Sequence, residues 1–390
     1  MPSTILSDNG ASSGTAGLKS TGSNDGQLVL QTTTAGGTAT TAMTIDTGQA
    51  VTFAQTANLP NTFGFKNRII NGDMRIDQRN AGASVTPTAN VYTLDRWIAG
   101  LNVSSKFSVQ RSTTAPTGFV NSVLITSTSA YSVLSADRFA FTQLIEGFNT
   151  ADLAWGTASA KTVTLSFWVR SSLTGTFGGA LQNNASDRSY PYTYTINAAN
   201  TFEYKTVTIA GDTTGTWLTD NQIGIGVRFS LGTGTTYSGT AGAWAGADYR
   251  SATGAVSLVG TNGATLYITG VQLEVGSTAT SFDYRDYGRE LAMCQRYYWK
   301  SGGAGNESIG AAGYNTTGNA VWSQFSFPVT MRANPTVTVN GTWAVSNTGQ
   351  PTIRAASTTN FLLQAVASAS GSLSTFPNGS DDFLDASIEL

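Results

Sequence analysis

Histidine is absent from all 390 residues. That excludes a Ser-His-Asp triad, an imidazole general base and the usual zinc ligand sets. There is one cysteine, Cys294, so no intrachain disulfide and no cysteine cluster can form. It falls at an apolar helical position, where an inert buried thiol is expected rather than a nucleophile. Charge is scarce: Asp, Glu, Lys and Arg make up 11% of the chain, against about 25% in an ordinary soluble protein. Surface polarity must come mostly from Ser, Thr, Asn and Gln. The formal net charge of -2 leaves no basic footprint, so no nucleic-acid partner is expected. No apolar run approaches the roughly 20 residues of a membrane-spanning helix, so membrane insertion is not expected either. The opening "MPSTILSDNG" lacks a basic stretch followed by an apolar core, so no secretion signal is expected there.

What is present is strand patterning. "TVTLSFWVRS" sets Val163, Leu165, Phe167 and Val169 on one face, with Trp168 and Arg170 on the other. "DMRID" does the same with Met74 and Ile76, and "YKTVTIAG" and "QIGIGVRFSL" repeat the alternation. Asn262-Gly263 and Asn340-Gly341 read as hairpin turns. Short helical segments are expected only between Gln143 and Trp155, and after Asp286, a capping residue followed by Leu291, Cys294 and Tyr298 at helical spacing. The chain divides into three regions. Residues 1–64 carry alternating apolar pairs (Leu28 and Leu30, Met43 and Ile45, Val51 and Phe53) broken by Gly36-Gly37 and Gly48. Their apolar content is too small for an independent core, so they need a partner surface. Residues 65–300 hold a dense series of short strands, and residues 301–390 form a further β unit. The fold class expected is all-β, with an antiparallel sandwich at the centre.

The densest block is "YITGVQLEVGSTATSFDYRDYGRELAMCQRYYWK", Tyr267 to Lys300. Its Ile268, Val271, Leu273 and Val275 form an apolar strand side only if Gly270 introduces a bulge or a change of parity. This block resembles the closing segment of a β-sandwich domain of bacteriophage tail-fibre and other virion structural proteins. The opening segment of that domain is matched by "NRIINGDMRIDQRNAG" (Asn67 to Gly82). "YTLDRW" (Tyr92 to Trp97), "QLIEGFNTADLAWGTASAKTVTLSFWVRSSLTGTF" (Gln143 to Phe177) and "SATGAVSLVGTNGATLYITGVQLE" follow in order. The resemblance covers roughly residues 65 to 300. It implies a jelly roll similar to carbohydrate-binding modules, with short N-terminal shaft or attachment strands before it and a small C-terminal β-sandwich domain after it. "LVLQTTTAGGTATTAMTIDTGQAVTF" looks like the shaft regions of trimeric phage fibres, which implies a homotrimer joined to other virion proteins through residues 1–64. Assembly in the host cytoplasm and residence in the virion, on tail or capsid, follow as expectations.

Aromatic rings are the natural sugar ligands, because their faces accept the apolar C–H face of a pyranose. Trp97 and Trp155 sit among apolar residues and read as core. Tyr190, Tyr192 and Tyr194 share one strand face; turned to solvent they would form a stacking platform, turned inward a core stripe. Tyr237, Trp244 and Tyr249 lie in a Gly/Ala/Thr-rich stretch, where packing at a subunit interface is favoured over a ligand. Trp322 and Trp343 are weaker candidates, with Trp343 expected near an exposed tip after its Asn-Gly turn. Asp381, Asp382 and Asp385 read as a solvated turn. Asp73 and Asp283 are separated in sequence but could meet; no cofactor is expected, and a structural calcium held there lacks any ligand spacing in its support. Asp283, Arg285, Glu290 and Arg296 group as a possible site, for which a structural clasp is the preferred reading. The function expected is non-catalytic attachment to a host-surface glycan or protein. A passive decoration protein of the capsid or tail is the alternative, and a polysaccharide depolymerase a further one, which would need two carboxylates about 5–10 Å apart across a groove.

Overall fold

The computed structural model describes residues 28–33, 39–45, 47, 51–53, 65–301, 309–379 and 381–390. The chain forms two compact units, Met1–Thr62 and Phe63–Leu390. In the first, strands Leu28–Thr33, Ala39–Ile45 and Val51–Phe53 form an antiparallel sheet. Its register pairs Leu28 with Ile45 and Leu30 with Met43 on one side of the middle strand, and Ile45 with Val51 and Met43 with Phe53 on the other. The alternating positions thus align in register as two cross-strand rungs, as their spacing anticipates. The glycines expected to break these strands, Gly36-Gly37 and Gly48, lie outside the described residues.

The second unit is built on an antiparallel sandwich, as expected. One sheet has six strands, in the order Ser189–Ile196, Gly175–Gln182, Ile223–Thr233, Arg138–Glu146, Trp97–Leu101 and Val91–Leu94. The facing sheet has five, in the order Glu203–Ile209, Val163–Ser171, Thr265–Val275, Ser122–Ser127 and Phe107–Ser112. Strand period 2 decides which side chains enter the core. Val163, Leu165, Phe167 and Val169 are all fully buried, and each such side chain contributes about 1.5–3 kcal/mol. Phe167 meets Phe229 of the opposite sheet edge-on, with centroids 4.9 Å apart. Trp97 stacks on Phe141 at 4.9 Å in the same core.

The strand Thr265–Val275 contains the anticipated bulge. Thr269 pairs with Trp168 and Gln272 with Ser166, so Gly270 and Val271 together face one residue. Gly270 has φ of +61°, a left-handed conformation that glycine adopts without steric cost. Leu266 and Ile268 before it, and Val271 and Leu273 after it, therefore all point inward and are all buried.

Other local expectations fail for identifiable reasons. "DMRID" is not a strand: Met74 has φ of +58°, although Met74 and Ile76 are both buried. The Asn71 side chain accepts from Ile76 N at 2.9 Å and donates to Ile76 O at 2.8 Å, replacing a strand ladder with a side-chain hub. Gln143 to Glu146 completes a strand, and only two short 3-10 turns follow, Gly147–Asn149 and Ala151–Leu153. Gly263 turns the chain with φ of +75°, but it joins the 3-10 turn Leu258–Gly260 to a strand instead of closing a hairpin. Gly341 likewise turns, yet Thr336–Asn340 and Ala344–Ser346 belong to different sheets.

The capped helix is present as Tyr287–Gln295, with the Asp286 carboxylate accepting from Arg289 N at 2.9 Å. Tyr298 lies beyond it and starts a strand. Three three-stranded sheets follow around Phe361, Leu363, Leu384 and Trp343. One of them runs Tyr298–Lys300, Phe383–Ser387, Thr336–Asn340, so the segment leaving the sandwich is itself a strand of the distal sheets. The chain then returns to the sandwich. Glu389 pairs with Arg96 and, at 2.8 Å, with Arg79. Tyr92 donates its hydroxyl to Leu390 O at 2.8 Å.

Candidate functional site

The outer face of the five-stranded sheet carries a cleft of ≈ 550 Å³. It forms because the outward positions of the alternating strands are aromatic here. Trp168 and Tyr204 are register partners, and their rings lie 5.4 Å apart at 48°. They make one wall. The other is a cluster of Phe119, Phe282 and Tyr284, with centroids 4.9 to 5.5 Å apart. Gly270 lies between the walls: a β-carbon there would come within 2.6 Å of Phe119 and 3.2 Å of Trp168. The bulge that keeps the core continuous also leaves a bare patch on the opposite face.

The second wall is fixed to the sheet by polar groups of the same strand. Glu274 accepts from Thr280 N at 2.8 Å and from its hydroxyl at 2.6 Å. Gln272 accepts from Asp283 N at 2.8 Å. Tyr284 donates to Gly118 O at 2.8 Å, holding its ring over the cleft while the residue stays 56% exposed. Thr280, Ser281 and Ser166 supply hydroxyls around the rings. None of the lining residues is a carboxylate or a base, so the cleft offers stacking faces and hydrogen bonds and no proton-transfer pair.

Little of this site coincides with the residues singled out from sequence. Tyr190, Tyr192 and Tyr194 are buried in the sandwich core at 8%, 1% and 5% exposure. Their strand turns the tyrosines inward and Thr193 and Thr195 outward, so no platform faces solvent. Trp244 packs edge-on against Tyr190, Trp155 and Trp217 at 5.2 to 5.4 Å, and donates to Ala210 O at 2.7 Å. Its ring packs on its own sandwich. Tyr249 lies flat over Gly239. The Tyr237 ring has the guanidinium carbons of Arg138 and Arg250 at 5.3 and 5.4 Å from its centroid. Trp322 is 60% exposed on the distal sheets. Trp343 is 2% exposed in the distal core, because the turn before it leads into the facing sheet and not to a tip. Trp97 and Trp155 are core, as read.

The carboxylates are structural. Asp382 is buried and accepts from the backbone N–H of Thr342, Asn378 and Gly379 at 2.8, 2.9 and 3.0 Å, which corrects the expected solvated turn. Asp73 is ion-paired with Arg75, and burial raises its carboxyl above the usual range against that pairing. Asp283 faces Arg285 at 3.6 Å. Glu290 accepts from Asn71 N and pairs with Arg285 at 3.3 Å, while Arg285 also donates to Ile69 O at 3.0 Å. Arg296 forks onto buried Glu146 at 2.7 Å. The Tyr267–Lys300 block therefore clasps the opening segment 67–76.

Phe119, Tyr204, Phe282 and Tyr284 were missed because each looks like an ordinary aromatic in sequence. Trp168 carried a usable signal: a large ring on the outward parity of a strand whose inward parity is fully apolar.

No protein-family model and no curated protein matches the chain. Several solved structures align at low identity. An enzymatically active domain of bacteriophage CBA120 tailspike protein 4 aligns over 54% of this chain at 12% identity, with a TM-score of 0.29; the alignment spans 21% of that domain. A family 11 carbohydrate-binding module from Clostridium thermocellum, solved with a mixed-linked tetrasaccharide, covers 49% of this chain and 97% of its own at 11% identity and a TM-score of 0.26. A sugar-binding protein from Bacteroides thetaiotaomicron covers 54% and 100% at 12% identity and a TM-score of 0.32.

Proposed function

We propose that this chain is a non-catalytic phage virion fibre protein that attaches to a host-surface glycan through the aromatic cleft of its central sandwich. The observation that carries this reading is the pair of aromatic walls, Trp168–Tyr204 and Phe119–Phe282–Tyr284, set across a glycine floor with hydroxyls at the rim. A pyranose presents apolar C–H faces and polar edges, and that lining is complementary to both. The volume of ≈ 550 Å³ falls within the roughly 300–1,000 Å³ of small-ligand sites. Residence in a virion is supported by the ordered motif resemblance over residues 65 to 300. Trimeric attachment through residues 1–64 is supported by the cross-strand apolar rungs of a sheet with too little apolar content to stand alone.

The test uses the full chain and purified host-surface polysaccharide, immobilised for a binding assay. Wild type is expected to bind and to release no new reducing ends. Trp168→Ala is expected to weaken binding by about 30-fold, the effect of losing an anchor worth about 2 kcal/mol. Unchanged binding by that variant would remove the cleft from the function. Appearance of reducing ends would replace attachment by depolymerase activity.

A further inference from the structure

On the opposite face of the sandwich, the six-stranded sheet carries a second pocket, of ≈ 180 Å³. Its floor is flat because Gly100 and Ala140 are register partners without bulk. Ile98 and Leu144 supply an apolar margin, and three arginines, Arg138, Arg228 and Arg250, enter it from one side. This is an unusual concentration in a chain of formal net charge -2.

The arginines are held in place, and most of their charge is uncompensated. Arg250 forks onto Asp248, with both contacts at 2.9 Å. Asp248 also accepts from the Gln182 amide, whose oxygen accepts from Arg228 Nε at 2.9 Å. A fixed relay thus orients Arg228 while its terminal nitrogens meet no acceptor among the described residues. Tyr237 lies near both Arg138 and Arg250, with the two guanidinium carbons 5.3 and 5.4 Å from its ring centroid. Asp137, the neighbour of Arg138, is occupied elsewhere, accepting from Tyr131, Asn102 and Leu134. Neither Arg138 nor Arg228 has a carboxylate within ion-pair distance among the described residues. Burial, reinforced by Arg250 and Arg138 and opposed by Asp248, pushes the Arg228 guanidinium down to about 10.

A second observation points to a ligand. Thr142 lines the same pocket and is the register partner of Arg228. It is 0% exposed, and its hydroxyl has no hydrogen-bond partner among the described residues. Buried hydroxyls are ordinarily paired, and a bound acceptor would pair this one.

We propose that the Arg138–Arg228–Arg250 pocket binds an anionic group, a carboxylate or a phosphate, carried on a sugar residue. The guanidinium forks match the oxygens of either anion, and Ile98 and Leu144 match the apolar side of the ring that bears it. The saccharide part of this inference rests on the glycan-binding reading above; the anion part stands on the pocket alone.

The test is calorimetric titration of the full chain with four probes: sodium glucuronate, glucose 6-phosphate, inorganic phosphate and glucose. Measured in the Trp168→Ala protein, which lacks the stacking wall of the cleft, one or both anions should bind and glucose should not, with the tighter anion identifying carboxylate or phosphate as the source. Added salt should weaken binding. Arg228→Gln should lower the affinity about 10- to 100-fold, as expected for lost charge-assisted hydrogen bonds. Arg138→Gln should show the same direction and covers the case in which Arg228→Gln does not fold. The anions should bind wild type and Trp168→Ala with the same affinity, so failure of the aromatic cleft and failure of this pocket are read separately. Equal binding of glucose, no binding of either anion, or full affinity in both arginine variants would overturn the proposal. So would inorganic phosphate binding as tightly as glucose 6-phosphate, or an arginine variant that changes oligomeric mass in place of anion affinity.

Discussion

Replacing Glu389 by Gln should destabilise the sandwich, although Glu389 follows its last strand by more than a hundred residues. Arg96 is 1% exposed and lies under Tyr297, its guanidinium carbon 3.5 Å from the ring centroid. Burial alone would pull its proton affinity down, and the Glu389 carboxylate holds it above the ordinary value. Gln keeps the shape and removes the charge, so Arg96 would be left buried without a counter-ion. Breaking such a pair from one side costs about 3–5 kcal/mol. For a unit of this size that lowers Tm by roughly 5–15 °C. The assay is urea unfolding of the full chain followed by tryptophan fluorescence, beside a calorimetric scan. A second variant, Arg96→Met in the Glu389→Gln background, should recover most of the loss, because an apolar side chain has no charge to strand. A Glu389→Gln protein within about 0.5 kcal/mol of wild type, the scatter of ordinary surface changes, would refute the reasoning. The same argument bears on dissection of the protein. Deleting residues 301–390 removes Glu389 as well as the distal sheets, so loss of glycan binding in that deletion would report an unstable sandwich.

Three further outcomes follow. Gly270→Ala should cost about 1–3 kcal/mol through its left-handed backbone and displacement of Phe119, and it should weaken glycan binding at the cleft; denaturant unfolding and the polysaccharide assay read both. Burial lifts the Asp95 carboxyl to about 6, against Arg79 and Gln78 pulling it down. The folded state then holds that proton more tightly than the unfolded chain, so this contribution is present at low pH and is lost as pH rises through 6: unfolding free energy at pH 5 should exceed that at pH 7 by about 1 kcal/mol, a difference absent in Asp95→Asn. Cys294 is wholly buried and its thiol is pushed well above the usual range by burial, with Asp95 and Glu290 adding to it; a thiol reagent should label it in denaturant and leave the native protein unmodified.

The strands of the sandwich were legible because period-2 alternation survives in a chain with few charges. The Gly270 bulge was legible too, since Ile268 and Val271 cannot share a face without it. Which face is inward was not always readable. Tyr190, Tyr192 and Tyr194 alternate with small polar residues, and that pattern is the same for a core stripe and an exposed platform; packing against Phe167 and Phe229 decides it. Trp343 was misplaced because an Asn-Gly turn fixes the backbone reversal but not the sheet that receives the next strand. The second wall of the cleft was invisible for a different reason. Phe119, Phe282 and Tyr284 sit in irregular segments with no period, and they meet across 160 residues or more of intervening chain. The arginine pocket likewise collects residues from separate strands, each unremarkable in its own segment.

The return of Glu389 to Arg96 also sets an order of events. The two residues are 293 positions apart, and at a synthesis rate of about 5–20 residues per second Glu389 follows Arg96 by roughly 15–60 s. Over the last 114 of those positions, after Val275, the sandwich has its strands but must either bury an uncompensated guanidinium or stay open around it. Long-range closure of this kind slows folding, and here the delay discriminates: a chain interrupted anywhere between Lys300 and Glu389 keeps every sandwich residue and lacks the charge that lets them close. Completeness of the distal sheets is thereby sensed inside the central core, before any assembly step could select for it.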